Sequence, residues 1–364
     1  MKSRKNSVST LIMAIVILAS CTSTTINNSN EALISGKGAQ NINIYQYFSY
    51  QNFDSISIQK LEQYMLTANQ KKNDLRELKK LHGNLKKISS QDSYSINIPN
   101  SSIFSLELME LAYKLELPIT IKWVESNSQD IPLDLLAKIP SGFCSSIYED
   151  AIDAITKEIN DSTVIIYMKP YIHFQKLLVE QFPEVKSILF NKGNAQNFAS
   201  NILGIGESQK RFKKISSLNP NQTLEFEARP RDDIRNILLL LQPSEYRSVL
   251  PAFRYHGGEK FKYINFISVL ENLNHVNQLM DFENSLVPIS PYLTEKIKDK
   301  ESFSLDQLMQ RSMINDWLLV EIIKQAGVQS ATISGMTGDL DFQKNSCTKR
   351  NIPMQLITSK WITS

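Results

Sequence analysis

Five consecutive apolar residues, Ile237 to Leu241, constrain this chain more than any other stretch. A charged turn (Arg229, Arg231, Asp232, Asp233) precedes them, and Gln242-Pro243-Ser244 follows, opening an amphipathic segment closed by Pro251. A run this short and apolar, set between a charged turn and a proline-led helix, reads as a parallel strand buried on both faces.

The elements around it alternate. Strands are predicted at Tyr94–Ile98, Pro118–Trp123, Thr163–Met168, Val185–Phe190 and Tyr263–Val269. Helices are predicted at Ile58–Leu85, Ile103–Leu115, Tyr148–Ile159, Tyr171–Phe182, Glu207–Ile215 and Ser244–Tyr255. Ile42–Tyr50 is rich in β-formers and reads as a first strand. A β-α-β-α order implies parallel sheet with helices on both faces, an α/β fold. A last long helix follows Ser304, which with Gln307 makes a capping-box pattern. Leu305, Met309, Met313, Trp317 and Val320 share one of its faces, and Gly327 stands where a C′ glycine belongs.

The amino terminus carries a targeting signal. Lys2, Arg4 and Lys5 precede an apolar stretch from Val8 to Leu18, then Leu18-Ala19-Ser20-Cys21. Such a segment is too short to span a bilayer and reads as a secretory signal over residues 1–20. Leu-Ala-Ser-Cys is similar to a bacterial lipobox, which implies a diacylated Cys21. Thr22 in place of Asp favours the outer membrane by resemblance to lipoprotein sorting. Residues 21–41, rich in Ser, Thr, Asn and Gly, read as a flexible tether.

Without Lys2, Arg4 and Lys5 the formal charge falls from +3 to zero, which argues against a nucleic-acid partner. Between Lys71 and Lys87 seven Lys and Arg face only Asp74 and Glu77, a solvated basic helix face or a patch for peptidoglycan or an acidic partner. Cys144 and Cys347 would lie in an oxidising compartment; a disulfide and two separate thiols are both open, the thiols preferred. His82, His173, His256 and His275 form no metal-ligand spacing, and neither a nucleophile elbow nor a P-loop is present. Gly204-Ile205-Gly206 lacks the third glycine of a dinucleotide fingerprint. No cofactor, metal or catalytic residue is expected. Glu149-Asp150 and Asp232-Asp233 read as capping and solvated pairs. Ligands of open α/β sheets bind beyond the carboxyl ends of the strands, so Gln242–Ser244 and Ser268–Asn272 are better contact candidates than the turn at Arg229–Asp233.

Several segments, taken in order, resemble the LppC/LpoA family of outer-membrane lipoproteins. Arg229, Arg231 and Asp233 before the buried strand, with Pro243, Glu245, Arg247, Pro251 and Tyr255 after it, echo one family pattern. Phe143 through Ala151 (FCSSIYEDA), with the acidic pair Glu149-Asp150, resembles the segment crossing into the second lobe. Asp281-Phe282 with Pro291-Tyr292-Leu293, and Asp316-Trp317, fit two more segments. Gly335-Met336-Thr337-Gly338-Asp339-Leu340 fits a Gly-x-Thr-Gly-x-Leu turn, with Arg350 after it. The resemblance covers roughly residues 90–355 and departs from the pattern at Ile147, Asn284 and Ile289. It implies a type I periplasmic-binding-protein-like fold of two lobes, the first about 42–145 plus part of the C-terminal segment and the second about 146–290. The long helical-repeat domain of that family has no counterpart here, and the first lobe looks trimmed. By resemblance the function is activation of a class A penicillin-binding protein without enzymatic chemistry. The competing reading is a solute-binding lipoprotein holding a small polar ligand between the lobes.

Overall fold

The computed structural model describes residue 65 and residues 72–99, 105–115, 117–124, 139–218, 225–257, 260–273, 275–298 and 304–363. The signal segment, Cys21, the tether and the strand expected at Ile42–Tyr50 lie outside these residues.

The apolar run is the centre of the fold. β5 (Asn236–Leu240) is buried at every position and occupies the middle of a six-stranded sheet. Its parallel neighbours are β3 (Thr163–Tyr167) and β6 (Lys262–Asn265). β4 (Lys186–Leu189) extends the sheet beyond β3 and β7 (Ser285–Pro288) beyond β6, both parallel. At the far edge β11 (Met354–Leu356) joins β7 antiparallel. Covered on both faces, such strands need no alternation of polar and apolar residues, which is why Ile237–Leu241 is unbroken.

The connections are helical, as a parallel sheet requires. They are α3 (Ile147–Thr156), α4 (Ile172–Gln181), α5 (Ala195–Ile202), α6 (Ile205–Leu218) and α7 (Pro243–Gly257). Three expectations need correction. α5 is unforeseen; its start is marked by Asn194, whose side chain accepts from Asn197 N. Pro251 does not close its helix but lies inside α7, which runs on to Gly257. β6 ends at Asn265, and the apolar Ile267–Leu270 forms a buried 3-10 turn rather than more strand.

A second group of elements lies on either side of this sheet in the sequence. α1 (Lys72–Ser89) precedes a parallel pair, β1 (Tyr94–Pro99) and β2 (Ile119–Val124), joined through α2 (Ser105–Lys114). After α8 (Pro291–Lys298), the long α9 (Leu305–Gln325) leads into an antiparallel sheet of β8 (Ser330–Ser334), β9 (Asp339–Gln343) and β10 (Lys349–Asn351). β9 alternates exposed and buried residues, the pattern of a strand with one wet face. A short α10 (Ser359–Thr363) ends the described chain.

Side-chain bonds to backbone tie the two ends of this group together. Gln325 donates to Ser95 O at 2.8 Å and accepts from Ser95 N at 2.9 Å, while Asn84 donates to Ser330 O at 3.2 Å. Leu305, Met309, Met313, Trp317 and Val320 are all buried. Gly327 takes φ +69°, a left-handed helix stop. Ser304 is the N-cap residue of α9, but its side chain makes no capping bond, so the capping box is absent.

Candidate functional site

Two clusters arise where the chain passes between its sheets. In the first, the segment entering α3 runs beside the segment entering β10. Phe143 bridges to Thr348, Cys144 N donates to Thr348 O at 3.0 Å, and Thr348 N donates to Gly142 O at 2.7 Å. Cys144 and Cys347 are disulfide-bonded alongside, which overturns the preference for separate thiols. Two chain segments held in register by backbone bonds bring the sulfurs within bonding reach, a juxtaposition that spacing alone does not reveal.

One turn later the neighbouring acids of the Glu149-Asp150 pair part company, because successive helical side chains point about 100° apart. Glu149 stays at the helix start, accepting from Ser146 N at 2.8 Å while its own N–H donates to Ser146 Oγ, a complete capping box. Asp150 is not solvated. It is buried against Arg350 at 2.7 Å, and Ser145 also donates to it. The Arg350 guanidinium lies 4.6 Å from the centre of the Phe143 ring, with its side chain fully covered.

Asp316 of α9 belongs to the same region. It is fully buried and accepts from Met336 N at 2.7 Å, Thr337 N at 2.8 Å and the Thr337 hydroxyl at 2.5 Å. A carboxylate is thus caged by one turn of the Gly335–Gly338 loop. Both glycines are required by close approach. A Cβ on Gly335 would meet Asp316 Oδ1 at 2.8 Å, and Gly338 has φ +153° with Asn351 O 2.6 Å from its would-be Cβ. Asp150, Asp316, Gly335, Thr337, Gly338 and Arg350 are scattered through the sequence, yet two buried carboxylates, one arginine and one turn bring them into one buried cluster.

Burial pushes the Asp316 carboxyl above its ordinary value, outweighing the opposing pull of the Thr337 hydroxyl, Arg350 and the two amides. A raised folded-state pKa means the stability tied to this proton is fully present below the unfolded value and is lost as pH rises through the folded one. Asp316→Asn cannot follow that titration. Its destabilisation, measured by urea unfolding, is therefore expected to be larger near about pH 4 than near about pH 7. A gap that instead widens toward neutral pH would contradict this assignment.

The second cluster covers the carboxyl ends of the parallel strands. Residues directly after β3, β5, β6 and β7 (Met168, Leu241, Phe266 and Ile289) are all buried. Phe266 packs with Tyr148 at 5.3 Å, Tyr171 at 5.5 Å and Phe174 at 5.3 Å between ring centres. Tyr148 also donates to Glu271, linking α3 to the loop beyond β6. Below them Tyr246 donates to Leu239 O at 2.6 Å and accepts from Phe266 N at 3.1 Å, while Ser268 donates to Leu241 O at 2.8 Å. Burial drives the Tyr171 hydroxyl up to about 12 and raises Tyr246 too, so both stay protonated at physiological pH. Glu271 falls within the Ser268–Asn272 stretch expected beyond a strand end, whereas neither motif nor spacing points to Phe174, and only the fold assembles the cluster.

The other motif residues lie outside both clusters, with Pro291 and Tyr292 linked to the first only through Ser290. Arg231 pairs with Asp233, and Lys260 with Asp232 at 2.5 Å, in exposed positions before β5 and β6. Arg229 N donates to Ser208 Oγ at 3.3 Å. Pro243 opens α7 and Arg247 is exposed upon it, while Pro251 is half-buried within the same helix. Asp281 offers its carbonyl to Arg254 at 2.9 Å. Pro291 and Tyr292 begin α8, whose preceding Ser290 accepts from Leu293 N at 3.1 Å and donates to Met336 O at 2.5 Å, tying this helix to the Asp316 turn. Among the described residues no group of His, Cys, Asp and Glu could hold a metal ion, and no helix is long and apolar enough to cross a membrane.

No protein-family model and no curated protein matches the chain. Solved structures do. A crystal form of full-length LpoA from Haemophilus influenzae aligns at TM-score 0.39 and 9% identity, over 86% of this chain and 56% of that one. This chain therefore spans little more than half the length of that LpoA chain. A second full-length LpoA structure from the same organism aligns at TM-score 0.36 and 10% identity, over 85% and 74% of the two chains. An ABC transporter substrate-binding protein from Desulfitobacterium hafniense, in complex with Leu, aligns at 0.35 and 10%, over 72% and 95%. All three scores and identities are low, and the function proposed below rests on this chain's own residues.

Proposed function

We propose that this protein is a lipid-anchored envelope regulator that stimulates a class A penicillin-binding protein by direct contact, without chemistry of its own. The signal segment and Cys21 supply the outer-membrane anchor in this reading, and the family-like segments supply the kind of partner. The observation that favours it over solute capture is the covering of the strand ends. Open α/β sheets receive ligands there, and here Met168, Leu241, Phe266 and Ile289 are all buried, with Phe266 packed against the rings of Tyr148, Tyr171 and Phe174. A small ligand would have to displace an aromatic cluster and the Tyr148–Glu271 bond to reach the sheet.

The test is addition of the purified protein to a class A synthase of the same envelope. Glycan polymerisation or crosslinking is expected to rise several-fold, and the synthase to be retained in a pull-down. Absence of both effects would sink the proposal. The rival reading makes a separate forecast. A captured amino acid or muropeptide at 100 times its Kd would add about 2.7 kcal/mol of stability, and we expect no such thermal shift with either class.

A further inference from the structure

We propose that α6 is a membrane-contact element that docks this protein onto a surface of anionic phospholipid. The helix sits on the fold by one narrow stripe. Ile205 and Ser208 are buried and Phe212 and Ser216 half-buried, at spacings of three and four that fall on a single side. Phe212 is held by Phe226, stacked on it at 4.3 Å between ring centres, and Ser208 by the amide of Arg229. Every other position from Gly206 to Leu218 is exposed.

What that uncovered circumference carries is specific. Arg211, Lys214, Ile215 and Leu218 are neighbours at spacings of three and four, so two cations flank two apolar side chains along one side. Ile215 is 56% exposed and Leu218 84% exposed, adjacent on the helix rather than scattered singly. Lys210, Arg211, Lys213 and Lys214 face a single acid on the helix, Glu207, which pairs with Lys210 at 2.8 Å. Beyond the helix, Glu225, Glu227 and Arg229 are exposed on the segment packed against it. Apolar side chains framed by Lys and Arg on an exposed helix face match the boundary of a bilayer, where hydrocarbon lies directly beneath anionic headgroups. An acidic protein would answer the cations alone and leave Ile215 and Leu218 in water.

The proposal is independent of the synthase partner and of acylation. It is tested with the full chain carrying Cys21→Ser in every arm, mixed with vesicles of phosphatidylcholine alone or of phosphatidylcholine with phosphatidylglycerol. The parent is expected to bind the anionic vesicles about tenfold better, a preference that about 0.5 M NaCl largely removes. Arg211→Glu with Lys214→Glu should abolish the preference. Ile215→Ser with Leu218→Ser should weaken binding several-fold while leaving its salt dependence. A control with the same charge change elsewhere, Lys122→Glu with Lys324→Glu, should bind like the parent. Equal binding to both vesicle types, or a control that loses as much as the α6 pair, would overturn the proposal. Thermal melts that match the parent exclude misfolding as the cause.

Discussion

Replacing both cysteines of the Cys144–Cys347 bridge with alanine is expected to cost about 3–5 kcal/mol of stability, among the largest effects available to small substitutions here. The bridge spans 203 positions of sequence. Chain-entropy arithmetic for a loop of that length gives about 5 kcal/mol at 25 °C, an upper figure because unfolded chains keep some structure. A domain of ordinary stability has about 5–15 kcal/mol in all, so the loss removes a large share of the margin. Guanidinium unfolding of the parent with and without reductant, beside the double alanine variant, makes the comparison. Reductant should lower the parent to the level of the variant and leave the variant unchanged. A loss below about 1 kcal/mol would mean that the backbone pairing of Phe143 with Thr348 holds the two segments unaided.

The same bridge shows what the sequence could and could not disclose. Strands β1, β2, β3 and β5 were legible because each is an apolar or β-rich run bounded by polar turns. β5 was plainest, being buried on both faces. β10 and β11 hold three residues each, and Lys349-Arg350-Asn351 looks like a loop until its ladder with Leu340 is seen. Ile267–Leu270 misled in the opposite sense. Its residues are apolar because they are buried, yet the chain turns there, and burial without periodicity cannot tell a strand from a 3-10 turn. Pro251 reads as a stop, but the buried Leu250, Ala252 and Phe253 around it hold the helix on the sheet. The buried Asp150–Arg350–Asp316 cluster is visible in the sequence only as fragments. Asp150, Asp316 and Arg350 each sat in a segment that resembled a family pattern, while their meeting depends on three separate passages of the chain.

That meeting carries the other large prediction. Arg350→Leu is expected to destabilise the protein by about 3–5 kcal/mol, because it strands the Asp150 carboxylate in a site where neither partner reaches water. Asp150→Leu should cost a similar amount by stranding the guanidinium. The net worth of the intact pair is nevertheless small. Burial pushes the Asp150 carboxyl above its ordinary value despite the adjacent cation, so desolvation outweighs the attraction. Among the described residues, Nε and Nη2 of Arg350 have no hydrogen-bond partner. The double variant Asp150→Leu with Arg350→Met should therefore be clearly more stable than either single one. Urea unfolding of the four proteins closes the cycle. If the two single losses simply add in the double variant, the pair is not coupled. Recovery would show instead that the two charges are coupled and that their joint loss costs little, the surrounding apolar contacts and the disulfide holding the crossing segments in place.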